Sequence, residues 1–179
     1  RVACIGPAGE RGVLFACIMN DKDRAAGRGG VGTVMGSKNL KAVVVRGGTK
    51  VEVADQERFN QIQARVMGKF KAAAKAHPSP LSQHGTLGVM VPLTQKHGVL
   101  PTRNYQRGTF DGWQAISGQT LTEKYLEKAS ACWACPIGCT RISKTEKVEG
   151  EGPEYETTWA FGAQCGIDDL AAIIEANSL

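Results

Sequence analysis

Three cysteines stand within eight residues, in the run Cys132-Trp-Ala-Cys135-Pro-Ile-Gly-Cys139. Thiolates spaced two and three residues apart can converge on one inorganic centre, because Pro136 and Gly138 bend the backbone between them. A 4Fe-4S cluster is held by cysteine thiolates, usually four, and a tight loop commonly supplies three of them. Two other chemistries use the same residue types. A zinc knuckle wants a second ligand pair, and the nearest histidine, His97, lies 35 residues before Cys132. A redox Cys-x-x-Cys has no use for Cys139 and sits beside a βαβ pattern that is missing here. The spacing favours iron–sulfur over zinc, with the redox dithiol behind both. The radical enzymes that use S-adenosylmethionine carry the three-residue gap first, the reverse of the order here. Cys165 is the nearest candidate for a fourth ligand, followed by Cys4 and Cys17. All three also read as small, buried apolar residues.

A second run, Ala25-Ala26-Gly27-Arg28-Gly29-Gly30-Val31-Gly32, contains G-x-G-x-x-G. A dinucleotide site requires a strand directly before the first glycine. The preceding Asn-Asp-Lys-Asp-Arg of residues 20–24 is polar and turn-like, so that reading is rejected. Glycines nevertheless let backbone N–H groups approach phosphate oxygens, and Arg24, Arg28, Lys38 and Lys41 add positive charge. A flexible surface loop with solvated charges is the plain alternative. The third run, Glu149-Gly-Glu151-Gly-Pro-Glu154-Tyr-Glu156-Thr-Thr-Trp159, sets carboxylates beside aromatic rings and brings Glu156 17 residues after Cys139. Such carboxylates can serve as general acids or bases, although an acidic turn before a helix is more often a solvated surface. His77, His84 and His97 stand at no ligand spacing and read as structural or exposed.

The chain that must position these groups has 179 residues, about one domain or pieces of two. At 42% hydrophobic and 22% charged it falls in the globular range, which excludes wholesale disorder. No apolar run approaches the ~20 residues of a membrane span, and no basic leader precedes an apolar core. A reducing compartment, where clustered thiols usually do metal or redox work, is therefore expected. The chain starts at Arg1 and stops inside a helix-like run, as a piece of a longer protein would. Residues 1–50 hold nine basic and three acidic residues (+6), while the remainder holds 13 and 14 (−1). The whole basic excess thus lies with the glycine-rich run, which suits a polyanion such as nucleic acid, a membrane surface or a phosphorylated cofactor.

The pattern predicts strands at residues 2–5, 13–19 and 42–46, with a turn at 6–9 and a glycine-rich loop at 25–36. Gly47-Gly48-Thr49 marks a boundary. From Asp55, a plausible N-cap, Phe59, Ile62, Val66 and Phe70 recur at spacings of three and four, which predicts an amphipathic helix to about residue 77. Pro78-Ser79-Pro80 ends it. An irregular stretch carries Gly85, Gly88, Pro92, Gly98, Pro101, Gly108 and Gly112. A second helix is predicted over 120–128, then an acidic turn after the cysteines, then a last helix from 168 favoured by Asp168 and Asp169.

Together these runs closely resemble the tungsten-containing aldehyde:ferredoxin oxidoreductase family. The resemblance rests on residues 25–41, on Cys-x-x-Cys-Pro-Ile-Gly-Cys-x-Arg141 and on Glu-Gly-Pro-Glu-Tyr-Glu156. The opening Ile5-Gly-Pro-Ala-Gly-Glu10 and the closing run from Gly166 to Asn177 fit it as well. The resemblance implies an α+β fragment: the C-terminal part of a β-rich cofactor-binding domain (residues 1–48), then the first half of a mainly helical iron–sulfur-binding domain (residues 49–179). It further implies a bis-pterin cofactor carrying tungsten (or molybdenum), with magnesium bridging its phosphates. Arg24, Ala25, Gly27, Arg28, Gly29 and Gly30 would lie along that cofactor, the carbonyl of Ala25 on magnesium. Cys132, Cys135 and Cys139 would hold three corners of a 4Fe-4S cluster, the fourth ligand coming from beyond Leu179. Glu156 would be the catalytic carboxylate that moves protons as water adds to the aldehyde carbon. The implied reaction is the two-electron oxidation of an aldehyde to a carboxylic acid, the electrons leaving through the cluster to ferredoxin. The implied setting is cytoplasmic, with no nucleic acid, no membrane insertion, and room for a homodimer of the full-length protein. Half the pterin pocket would be absent from these residues, so the piece alone is expected not to hold the pterin.

Three readings compete with this one. Within the family, a benzoyl-CoA-reductase-type catalytic subunit shares the motifs but reduces an aromatic ring. From another class, a small iron–sulfur electron carrier would need Cys165 as its fourth ligand and has no use for the basic glycine loop. A zinc-stapled nucleic-acid binder finds little support in 6% aromatic residues.

Overall fold

A computed structural model describes residues 1–21, 24–49 and 51–179. The chain forms two compact units, Arg1–Ala54 and Asp55–Leu179.

In the first unit β1 (Val2–Ile5), β2 (Ile18–Asn20), β3 (Arg24–Ala26) and β4 (Ala42–Val44) form an antiparallel sheet in the order β3-β2-β1-β4. Cys4 on β1 stands opposite Met19 on one side and Ala42 on the other. The expected turn at 6–9 is instead a short helix, α1 (Pro7–Glu10), with Pro7 in the first turn where no amide donor is needed. The expected strand at 13–19 shrinks to β2. Residues before it are in turns closed by Val13 N–H to Ala8 and Ala16 N–H to Val13, and Leu14 and Phe15 face outward, 83% and 84% exposed. The expected loop at 25–36 divides into β3, a turn, and α2 (Val31–Ser37). A Cβ on Gly36 would lie 2.0 Å from the Gly9 carbonyl oxygen, so α1 and α2 cross backbone against backbone. Ile5, Ala16 and Met35 are buried apolar side chains of this unit.

The second unit opens with α3 (Gln56–Ala76), bounded as the sequence predicts. The Asp55 carboxylate accepts the Arg58 N–H at 2.9 Å, and the helix stops at His77. No α3 residue is buried, and its apolar stripe of Phe59, Ile62, Val66 and Phe70 is 40–47% exposed. The stretch expected to be irregular contains α4 (Pro80–Lys96), capped by Ser79, bent at Gly85 and carrying Pro92 inside. Burial of Leu87 and Val91 outweighs the poor helix propensity of its glycines and proline. α5 (Gly118–Lys124) crosses α4 so closely that a Cβ on Gly118 would meet the Gly88 nitrogen at 2.3 Å.

α5 ends four residues before the expected limit, because the chain turns into a sheet the sequence reading did not foresee. β5 (Leu126–Ser130) pairs with β6 (Thr140–Lys144), which pairs with β7 (Glu149–Glu151), both antiparallel. α6 (Tyr155–Phe161), a 3₁₀ turn at Ala163–Cys165 and α7 (Leu170–Asn177) follow, with Asp169 capping α7 through the Ala172 N–H at 3.1 Å. Leu87, Leu100, Ile116, Leu121, Ile173 and Ile174 are at most 1% exposed and hold the helices together. Each such side chain contributes about 1.5–3 kcal/mol on burial. The architecture is α+β as expected, with a sheet inside the mainly helical part.

Candidate functional site

The cysteine run is the connection of the β5–β6 hairpin, whose last pair is Ser130 with Thr140. It tightens through the Cys135 N–H to the Cys132 carbonyl at 3.0 Å, and Ala134 and Gly138 take left-handed backbone angles (φ 57° and 63°). The N–H groups of Ile137 and Gly138 donate to the Cys135 sulfur and hold its thiol below the ordinary cysteine range. Burial pushes the Cys139 thiol up, reinforced by the Glu154 carboxylate and by the Cys132 and Cys135 sulfurs, and partly offset by its own N–H. Among the described residues, no three His, Cys, Asp or Glu side chains are gathered closely enough to hold a metal ion.

Behind the loop stands a residue the sequence reading quoted but gave no role. Arg141, 3% exposed, donates from Nη2 to the carbonyls of Gly138 (2.6 Å) and Ser82 (2.8 Å). Its Nε is buried with no hydrogen-bond partner among the described residues. The bend of α4 makes room for it, since a Cβ on Gly85 would lie 2.9 Å from the Cys139 carbonyl and 3.3 Å from that Nε. Glu154, the cap residue of α6, accepts from Thr86 Oγ1 at 2.5 Å and from Thr140 Oγ1 at 3.5 Å, and Thr86 Oγ1 in turn accepts the Tyr155 N–H at 3.0 Å. Three sulfurs on one loop, amide donors on one of them and a buried cation with an unused donor behind them fit a thiolate-bound anionic group. No local signal marks Arg141 or Thr86, because their roles come from burial between β6, α4 and α6.

Glu156 lies exposed in the first turn of α6. Cys165, on the 3₁₀ turn, donates its thiol to the Ala160 carbonyl at 3.3 Å, and the Cys17 thiol donates to the Met19 sulfur at 3.7 Å. His84 is half-buried with Nδ1 3.0 Å from Thr122 Oγ1, while His77 and His97 are exposed at the ends of α3 and α4.

In the first unit Arg24 and Ala25 lie exposed on β3, an edge strand, with the Arg24 carbonyl accepting from Asn20 Nδ2 at 3.2 Å. A Cβ on Gly27 or Gly29 would meet nothing within 4 Å, whereas one on Gly30 would lie 2.1 Å from the Leu14 carbonyl oxygen. Gly30 thus serves packing, while Gly27, the exposed Arg28 and Gly29 leave an open run of backbone that an anionic cofactor could approach. Lys41 is already engaged, donating to the Ile5 carbonyl at 2.6 Å and to Glu10. A strand does precede Gly27 and a helix follows, contrary to the sequence reading. That strand is antiparallel and at a sheet edge, however, so no βαβ unit exists there. Of the segment read as turn-like, residues 22 and 23 lie outside the described residues.

Each unit matches a family model, the aldehyde ferredoxin oxidoreductase N-terminal domain over residues 1–47 and aldehyde ferredoxin oxidoreductase domains 2 and 3 over residues 62–179. The chain belongs to the aldehyde ferredoxin oxidoreductase family. It is 52% identical over 178 residues to a tungsten-containing aldehyde ferredoxin oxidoreductase of Pyrococcus abyssi and 51% identical over 178 residues to that of Pyrococcus horikoshii. These alignments take in 99% of this chain and 29% of each relative. Among solved structures it is similar to the active-site complex BamBC of benzoyl coenzyme A reductase with 1,5-dienoyl-CoA, at TM-score 0.73 and 25% identity over 99% of this chain and 28% of that one. Among the described residues no helix is long and apolar enough to cross a membrane.

Proposed function

We propose that this chain is part of a tungsten-containing oxidoreductase that converts small aldehydes to carboxylic acids and passes the electrons to ferredoxin. The observation that carries the reading is the 52% identity to an enzyme of that name, extending over both the glycine loop and the cysteine hairpin. Cys132, Cys135 and Cys139 would be three thiolate ligands of a 4Fe-4S cluster. The exposed Arg24, Ala25, Arg28 and Gly29, with the half-buried Gly27 and the buried Gly30, would receive a phosphate-bearing pterin, the Ala25 carbonyl meeting magnesium. When bound, the tungsten bis-pterin supplies the two-electron chemistry and the cluster the one-electron route out.

The chain's own residues hold charge and protons. Arg24 and Arg28 counter phosphate charge, and bare backbone at Gly27 and Gly29 lets amides approach the phosphate oxygens. Amide donors on Cys135 lower its thiol pKa and so favour the thiolate form that a metal ligand needs. Glu156 accepts a proton from the water whose oxygen is added to the aldehyde carbon.

The likeness to the benzoyl coenzyme A reductase complex favours a second reading, a ring-reducing subunit of the same family. The test is elemental analysis of the full-length parent protein, purified without oxygen, for Fe, W, Mo and Zn, followed by ferredoxin reduction with aldehydes. About four irons with tungsten or molybdenum, and aldehyde-dependent reduction of ferredoxin, support the reading. The same metals without aldehyde activity, but with dienoyl-CoA oxidation, favour the second. Iron without tungsten or molybdenum favours an electron carrier, and zinc alone removes the redox reading.

A further inference from the structure

We propose that Arg141 is the positioning residue of the cysteine loop and sets the reduction potential of the cluster held there, through a buried positive charge that no carboxylate meets at ion-pair distance. The inference rests on the cluster reading above. A guanidinium cannot shed its proton in a protein, so a side chain 3% exposed keeps a full charge inside the fold. Among the described residues no carboxylate lies within 4.0 Å of it. A buried cation without such a partner is costly unless another negative charge compensates it. A thiolate-ligated cluster is anionic and gains a further negative charge on reduction, so a nearby cation favours the reduced state.

The contact geometry gives this charge a route to the sulfurs. Arg141 Nη2 donates to the Gly138 carbonyl at 2.6 Å, and that peptide group ends in the Cys139 N–H, which turns onto the Cys139 sulfur. A cation on the carbonyl end polarises the peptide and strengthens the amide–sulfur contact at the other end. The second Nη2 contact, 2.8 Å to the Ser82 carbonyl, ties the loop to α4, and Gly85 leaves the side chain its space. Glu154 acts with the opposite sign, since its field is felt at both Cys139 and Arg141.

The test is an anaerobic redox titration, followed by electron paramagnetic resonance, on the full-length holoenzyme and its R141Q, R141K and E154Q variants, with iron counted in each. R141Q keeps a side-chain amide with two N–H donors for the two carbonyls but loses the charge. With its iron retained, its reduced-to-oxidised ratio at the wild-type midpoint falls about tenfold, a midpoint lower by about 59 mV for a one-electron couple. R141K keeps the charge without the planar fork and stays within about threefold of wild type, while E154Q moves the midpoint upward. An iron-replete R141Q with the wild-type midpoint overturns the proposal. Iron loss in R141Q together with an unmoved midpoint in E154Q also overturns it, because Arg141 would then be only a brace. Iron loss in R141Q with the E154Q midpoint raised and the R141K midpoint retained supports it. A wild-type holoenzyme with no iron–sulfur signal defeats the cluster reading instead.

Discussion

The same substitution, glycine to alanine inside a helix, should have opposite signs at Gly36 and Gly68. Gly68 lies in α3, where an added Cβ meets nothing within 4 Å. Alanine there gains about 0.5–1 kcal/mol from lower backbone entropy in the unfolded chain. At Gly36 the added Cβ would lie 2.0 Å from the Gly9 carbonyl oxygen and 2.7 Å from its carbon. Both are backbone atoms of α1, so no side chain can swing aside, and α1 and α2 must separate. Such overpacking costs up to about 3 kcal/mol, and the gain in propensity of about 1 kcal/mol leaves G36A destabilised by about 2 kcal/mol. Peptide-level hydrogen exchange on the full-length protein reads each region separately. G36A should speed exchange of the β1–β4 and α2 amides by about 30-fold, while G68A slows exchange across α3 by about two- to fivefold. Unchanged exchange around α2 in G36A would refute the claim that α2 packs on α1 backbone against backbone at Gly36.

T86V leaves the Glu154 carboxylate and the Tyr155 N–H without the hydroxyl that serves both. It should destabilise α6 by about 1–3 kcal/mol, read as faster exchange in α6, and T86S should restore it. In protein prepared without iron, alkylation followed by mass spectrometry should label Cys135 at lower pH than Cys139. The reason is that amide donors hold the Cys135 thiol down while burial holds the Cys139 thiol up, and only the thiolate reacts. Equal pH profiles for the two would contradict the loop geometry. E156Q in the holoenzyme should keep iron and tungsten while kcat for aldehyde oxidation falls by about 10²–10⁴-fold; wild-type turnover would remove Glu156 from the reaction.

Local chemistry by itself determined the parts of this protein whose partners lie within a few residues. α3 follows from apolar spacing, its start from Asp55 and its end from Pro78, and Asp169 likewise opens α7. The cysteine spacing raised the expectation of a metal loop without its neighbours being known, and the metal of that loop is a proposal. The tertiary structure decided what depends on distant pairing. β5–β7 are short strands whose partners stand across the cysteine hairpin and a turn, and no residue run of that length identifies a partner. α4 exists despite Gly85, Gly88 and Pro92 because Leu87 and Val91 reach the core. Gly30 and Gly36 resembled a flexible loop in the sequence, and only the carbonyl groups facing them show that their lack of a Cβ is a packing requirement. Arg141 is the sharpest case. As a residue type it belongs at the surface, and what buries it is the meeting of β6 with the bent α4, a contact between segments 59 residues apart.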